Sequence, residues 1–404
     1  MLDQIRKFGT RSRLALAAGA VALAAAGVVA TTIGTTTAAA SSKCIKLAVE
    51  FKLQGLSVFD ANIKGVDQAA KYYGICGQPT YGGPATASAT GQVTDIQADI
   101  AKHVNVIAMT SDDPAIPAPA LKDAMKHGIK VVTFDSDVPS ARNFFIQDTA
   151  YNTIAQGVIN AAVKAEGSSA EFGIMSSTPT ATIQLAWIKA MEAYVKAKFP
   201  NITWAPIGYG ESVVSTSLTA AEAMIHANPN LKAILPIDGD AVIGTAEAVA
   251  DLGDSGKIDV FGIGDPLPNQ TYFANGSMQG LFLWNEIGQG YMIDCVARLA
   301  YENKIHAGST FSCPHLTTAS GLVSGPDKWT VASSTNATTG ANKNTIVFSD
   351  PLEFTPQNYK KYNFYKEGVT SRRQQSVASP PQGGPTTPLS LSMCGRPSGR
   401  PHKL

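Results

Sequence analysis

GIKVVTFDSD, residues 128 to 137, is the stretch on which the fold turns. A helical pattern closes at Gly128, an apolar run rich in β-branched residues follows, and two carboxylates, Asp135 and Asp137, come directly after it. A short apolar run of this kind reads as a buried strand of a parallel sheet covered by helices. In an open parallel α/β sheet the carboxyl ends of the strands border the ligand crevice. Acids that emerge there meet a solute more often than they fill a core.

Working outward, the same alternation holds on both sides. Upstream, CIKLAVEF reads as a strand, ANIKGVDQAAKYYG as a helix closed by glycine, and GQPTYGG as a second strand. TGQVTDIQADIAKH is a helix, NVIAMTS a strand and AIPAPALKDAMKHG a helix; downstream, NFFIQ is a further strand. The pattern then repeats. AEFGIMSST, ITWAPIGYG, LKAILPID and KIDVFGIG are strands, spaced by helices such as TIAQGVINAAVKA and AVIGTAEAVADLG. Alternating βα units predict an α/β fold of two similar, doubly wound parallel-sheet lobes. The first lobe is expected at 44–148 and the second at 149–277, with the first crossover between Asp148 and Thr153. SMQGLFLW and the helix behind it, about 278–310, are expected to return to the first lobe, and about 311–345 to the second. The irregular stretch 346–370 is expected to supply a last crossing and a packed terminal segment. Several crossings make a hinge, with the lobes as jaws around a cleft.

The two ends stand apart from this pattern. Arg6, Lys7, Arg11 and Arg13 precede the apolar run LALAAGAVALAAAGVVA, and Ala38 and Ala40 form a small-x-small pair before Ser41. Residues 1–40 therefore read as a secretory signal peptide and place the chain outside the cytoplasm, in the periplasm. From 371 to 404 serine, proline, glycine and arginine replace apolar periodicity, so a disordered tail is expected, with Cys394 in it. A formal net charge of +1 over 404 residues, with no basic stripe among aromatics, argues against a nucleic-acid partner. Five cysteines are too few for a disulfide scaffold, but in an oxidising compartment Cys44 with Cys76 and Cys295 with Cys313 are possible local pairs. The first pair would join the starts of two neighbouring strands. No cysteine or histidine spacing suggests a metal site, and no cofactor is expected.

Candidate binding residues lie just beyond strand ends. In the first unit these are Lys52, Asp135 and Asp137; in the second, Gln184, Asp238, Asp240 and Asp265. Trp284 and Asn285 leave the strand LFLW together at the hinge. An ionised carboxylate can accept from two adjacent hydroxyls, which suits sugars and polyols. Lys52 can donate to a ring or carbonyl oxygen while balancing the acids, and a tryptophan face can stack on a sugar's C–H side. Asp137 and Asp240 equally fit the role of caps for the following helix or turn. Phe51 and Phe59 fit either a cleft wall or the core. Facing carboxylates also serve glycosidases. The chain nevertheless has no G-x-S-x-G elbow, no G-x-G-x-x-G opening a domain and no Walker loop, so binding without catalysis is the economical reading.

Several stretches carry a more specific likeness: AVEFKLQGLSVFDANIKGVDQAAK, GPATASATGQVTDIQADI, VVTFDSDVP, SSTPTATIQLAW, AILPIDGDAVIGTAEAV, GLFLWNEIGQG and VFSDPLEFTPQNYKKYNF. Over roughly residues 44–364 the chain resembles the periplasmic sugar-binding proteins of ABC importers, the ribose-binding-like class with type I fold, nearest the rhamnose and autoinducer-two binding branch. The resemblance implies a monomer of two lobes with a three-stranded hinge, closing on a solute and delivering it to a membrane permease. In the autoinducer-two receptors a lysine and the first acid of D-S-D contact ligand; here these are Lys52 and Asp135. An Asp-Gln pair of those receptors falls on Ile183 and Gln184, and their Pro-Asp-Ala segment on Ile237, Asp238 and Gly239. The acid missing at Ile183 implies an aldose, deoxyaldose or polyol as ligand. A sensing role, with the closed form signalling to a membrane receptor, uses the same fold; a secreted carbohydrate-active enzyme is the remote alternative.

Overall fold

A computed structural model describes residues 44–336 and 340–361; the expected signal at 1–40 and the tail at 371–404 lie outside them. The chain begins with β1 (Leu47–Glu50), α1 (Ser57–Tyr73), β2 (Thr80–Gly82), α2 (Ala89–Ala101), β3 (Val106–Met109), α3 (Ala118–Lys126), β4 (Lys130–Phe134) and β5 (Phe144–Gln147). These strands lie parallel in the order β2-β1-β3-β4-β5. Both faces are dry, and the two-residue period of the strand sorts the side chains between them. Val106 and Ala108 of β3 join the main apolar cluster, whereas Ile107 and Met109 join a second one under α2 and α3.

The second lobe continues with α4 (Tyr151–Glu166), β6 (Glu171–Ser176), α5 (Thr182–Lys198), β7 (Thr203–Trp204), β8 (Gly208–Tyr209), α6 (Val214–Ala227), β9 (Leu231–Pro236), α7 (Gly239–Asp251), β10 (Asp259–Ile263), α8 (Gln270–Asn275) and β11 (Gly280–Leu283). Its parallel sheet runs β7-β6-β9-β10-β11, with β8 pairing farther along β6. The chain is completed by α9 (Glu286–Tyr301), β12 (Thr310–Phe311), β13 (Trp329–Thr330), β14 (Thr345–Val347) and β15 (Leu352–Phe354). This is the expected α/β architecture of two doubly wound lobes, each built on a parallel sheet.

The late segments are distributed differently from the expectation. β11 stays in the second sheet, parallel to β10, because the short α8 connection carries the chain only to the neighbouring strand position. The return to the first lobe begins after Leu283, with α9, which packs against α1. Residues 311–345 also stay with the first lobe rather than the second. The Cys295–Cys313 disulfide ties their start to α9, Trp329 Nε1 donates to Phe348 O at 2.7 Å, and β14 pairs parallel with β5. The chain then crosses back, and β15 adds antiparallel to β11. The lobes are thus joined at 148–150, 284–285 and 348–351. The first and third crossings are bonded side by side, Phe348 N to Gln147 O at 2.8 Å and Ser349 N to Asp148 O at 3.0 Å.

Two further ties set the first lobe. Cys44 and Cys76 form a disulfide beside the Ile45–Ile75 bridge, at the starts of β1 and β2. Helices α1 and α9 cross through glycines: a Cβ on Gly65 would lie 2.1 Å from Ile287 O, and one on Gly290 2.4 Å from Asn62 O.

A buried acid lies at the end of β1. Burial, the hydrogen bond to Asp99 and the charges of Asp99 and Asp95 push the Glu50 carboxyl from 4.5 up to about 10. The folded state therefore holds this proton more tightly than the unfolded chain. Its contribution to stability is full below about pH 4.5 and is lost as pH rises towards 10. Melting temperature is expected to fall between pH 5 and pH 9 by roughly 5 °C or more, and Glu50→Gln is expected to flatten that slope. Parallel wild-type and variant slopes would refute the assignment.

Candidate functional site

The carboxyl ends of both sheets face one interlobe cavity of about 50 Å3, enough for the space of several waters. From the first lobe, β1 ends into Lys52 and β4 into Asp135. Lys52 Nζ donates to Asp135 Oδ2 at 2.7 Å, and Thr110 Oγ1 donates to the same oxygen at 2.6 Å. Burial works against the Lys52 ammonium, but the charge and hydrogen bond of Asp135, with Asp238 and Asp112 farther off, raise its pKa above the ordinary lysine value. Asp135 has φ of 55°, a left-handed conformation uncommon outside glycine. Backbone held in that region at a strand end turns the carboxylate towards the cavity wall, and such local strain clusters at functional sites.

The second lobe supplies an opposed polar pair. Asp238 follows β9 and caps α7, its Oδ1 accepting from Asp240 N and Ala241 N, both at 3.2 Å. Its Oδ2 accepts from Ser212 Oγ at 3.0 Å and Gln184 Nε2 at 3.4 Å. Gln184 is held in turn through its carbonyl, which accepts from Ser177 N at 2.7 Å and from the Ser176 and Ser177 hydroxyls. Around this pair the wall is aliphatic and aromatic, with Ile183, Ile237 and Ile263 beside Trp187. Trp187 and Trp284 rings lie 6.1 Å apart, and the Trp187 indole N–H is buried with no hydrogen-bond partner among the described residues.

Of the residues expected from sequence, Lys52, Asp135, Gln184, Asp238 and Trp284 line this cavity. Asp137, Asp240, Asp265 and Asn285 do not. Asp137 is turned inward to Arg142, whose Nε lies 2.7 Å from Oδ1, and to Thr133 Oγ1 at 2.5 Å. Arg142 carries that anchor on to the carbonyls of Lys343 and Asn344, so Asp137 ties β4 to the edge where β14 adds. Asp240 sits in the first turn of α7, with Asp238 as its cap. Asp265 closes the turn after β10 by accepting from Leu267 N at 2.8 Å. Burial raises its carboxyl to about 6 against the pull of its Leu267 and Ser57 hydrogen bonds, while the neighbouring Gly264 reaches the cavity. Asn285 caps α9 through Gly288 N at 3.1 Å and spends its amide on Gly321 O at 3.0 Å. Phe59 lines the cavity, and Phe51 stands in the core behind it, rings 5.0 Å apart.

The hinge contributes residues that the sequence reading passed over, Glu286 and Gln289. Asn62 Nδ2 donates to Glu286 Oε2 at 2.7 Å, Glu286 O at 2.8 Å and Gln289 Oε1 at 3.0 Å. Gln289 Nε2 in turn donates to Asp148 Oδ1. Complete burial raises both the Glu286 and Asp148 carboxyls well above the ordinary range; the charge of Asp135 adds to each, that of Glu286 to Asp148 and that of Asp265 to Glu286. The signal for them was an E-x-x-Q pair in the first turn of the helix after a strand end.

A model of the periplasmic binding protein domain matches residues 47–301. An ABC transporter solute-binding protein from Clostridium phytofermentas with bound L-rhamnose is 25% identical, with TM-score 0.71 over 80% of this chain and 99% of that one. A sugar ABC transporter protein from Actinomyces odontolyticus is 26% identical, with TM-score 0.61 over 79% and 97%. LsrB from Clostridium saccharobutylicum in complex with AI-2 shares the fold at 23% identity and TM-score 0.70, over 79% and 99%.

Proposed function

The chain belongs to the periplasmic binding protein domain family, and from that premise we propose that it captures a sugar, deoxysugar or polyol between its lobes, outside the cytoplasm, and delivers it to an ABC transporter permease. The observation that carries this reading is the opposition of Lys52–Asp135 to Gln184–Asp238 at the carboxyl ends of two parallel sheets, around one cavity. Carboxylates and amides so placed can accept from and donate to ring hydroxyls, and charge-assisted bonds of this kind discriminate strongly. The L-rhamnose bound by the Clostridium phytofermentas protein supports the same ligand class. A sensing role differs only in the partner of the closed form, and the AI-2 complex of a protein with this fold keeps it as the second reading.

The aliphatic wall refines the ligand. Ile183, Ile237 and Ile263 offer no partner to a hydroxyl, so a methyl group fits there better than a hydroxymethyl. In a thermal-shift and calorimetric panel of residues 41–370, L-rhamnose and D-fucose are expected to outbind L-mannose and D-galactose by roughly 10- to 100-fold. A parent hexose that binds as tightly as its deoxy form would remove the methyl assignment. A flat panel from folded, ligand-free protein would remove the sugar reading itself.

A further inference from the structure

Glu286 opens α9 directly after the second crossing, so it belongs to the hinge rather than to either jaw. Its side chain lines the interlobe cavity, and the residue is 3% exposed. The rest of the hinge wall has little to offer a polar solute. Leu283 is apolar, and both ends of the Gln289 amide are engaged, one with Asn62 and the other with Asp148.

The charges facing Glu286 come from every element packed around it. Asp135 and Lys52 stand at the strand ends of the first lobe, Asp265 follows β10, and Asp148 lies on the first crossing. Lys52 is the one cation of this group, and it is already paired with Asp135 at 2.7 Å. Among the described residues no counter-charge remains to stabilise an ionised Glu286 in so dry a place, and a neutral acid results. Its hydrogen-bonding neighbours, the Asn62 amide and the Trp284 indole, are both N–H donors. Neither can receive the acid proton. The carboxyl thus carries a donor whose nearest partners are the wrong kind, at the wall of a cavity whose lobes present the acceptors Asp135 and Asp238.

We propose that Glu286 is a third ligand contact, supplied by the hinge: its carboxyl donates a hydrogen bond to an acceptor oxygen of the bound sugar, a ring or carbonyl oxygen, while Asp135 and Asp238 accept from its hydroxyls. This rests on the solute-binding reading above and adds the polarity of one contact to it. A carboxylic acid here does what a third aspartate could not, because an ionised acid in that place would accept and repel the lone pairs it faces. The contact is a selectivity device: a sugar that presents a hydroxyl able to turn and accept is tolerated, and one that presents only C–H is not.

The test is calorimetric titration of the full chain with L-rhamnose and D-fucose from pH 5 to pH 9, using wild type, Glu286→Gln and Glu286→Met. Glutamine keeps an N–H donor and an acceptor for Asn62, so its affinity is expected within about threefold of wild type. Methionine fills the space without a donor and is expected to lose roughly 10- to 100-fold. Wild-type affinity is expected to hold or fall, and never to climb, as pH rises; Glu286→Gln removes any fall. Three results would overturn the proposal: a methionine variant that binds like wild type, a glutamine variant that loses tenfold or more, or wild-type affinity that climbs with pH. If the methionine variant does not fold, the near-isosteric glutamine variant decides alone. Failure of wild type to bind any sugar strikes the solute-binding reading instead, so the two failures are separable.

Discussion

Asp135→Ala is expected to abolish measurable sugar binding, with an affinity loss of roughly 100-fold or more. Three effects combine at this one residue. The carboxylate proposed to accept from ligand hydroxyls disappears. Lys52, its side chain 11% exposed, loses its partner at 2.7 Å and becomes an uncompensated charge in the cavity wall. Alanine must also hold a φ of 55°, which disfavours a side chain with no polar atom by about 1 kcal/mol. Companion substitutions separate these terms. Asp135→Asn tolerates the left-handed backbone and removes only the charge; Asp135→Gly relieves the backbone and removes the whole side chain. If charge dominates, asparagine and glycine both bind as poorly as alanine in calorimetry, and all three lower the melting temperature of the ligand-free protein. Wild-type affinity in Asp135→Asn would show that the ion pair is structural and that recognition lies elsewhere.

The second large effect concerns stability. Gly290→Ala places a Cβ 2.4 Å from Asn62 O, 2.6 Å from Val66 N and 2.7 Å from the Gly65 Cα. All three are backbone atoms, so no side chain can swing away and the helices must separate. Alanine's better helix propensity would return about 1 kcal/mol. Overpacking in a close-packed core costs about 1–3 kcal/mol even where side chains can yield, and here they cannot. The net is expected to be a loss of about 3 kcal/mol or more, read as a lower urea midpoint at unchanged slope. Because Asn62 and Glu286 lie on the two helices being forced apart, sugar affinity should fall with it. A midpoint equal to wild type would mean that α1 and α9 do not cross at this distance.

How much of this was legible in the sequence depends on the range of the forces involved. β4 and Asp135 declared themselves because an apolar run followed at once by acids has few other uses in an α/β chain. Lys52, Gln184 and Asp238 were found by the same rule of strand ends. That rule is blind to a partner: Asp137 obeys it as well as Asp135 does, and only the folded loop brings Arg142 against it. Asp265 and Asn285 likewise each spend an oxygen on a turn or cap that forms within a few residues. Glu286 and Gln289 stayed hidden for a different reason. Every residue of α9 from Glu286 to Ala297 is buried, so no polar face distinguishes a cavity-lining acid from its neighbours. The placing of 311–345 was decided by the Cys295 link, the Trp329 indole bond and the β14 register, all of them long-range.

The three crossings also have a consequence for how the molecule is made. β14 and β15, the outer strands of the two sheets, lie within ten residues of one another, Thr345–Phe354, late in the chain. A chain emerging vectorially from its N-terminus can assemble β1 to β5, yet that sheet's edge stays open until Thr345 arrives. The second sheet waits almost as long for β15 to cover β11. Neither sheet can therefore be completed before this one late stretch of chain arrives, unlike those of domains that are contiguous in sequence. Until then each half exposes an unpaired strand edge of the kind that invites pairing with another chain.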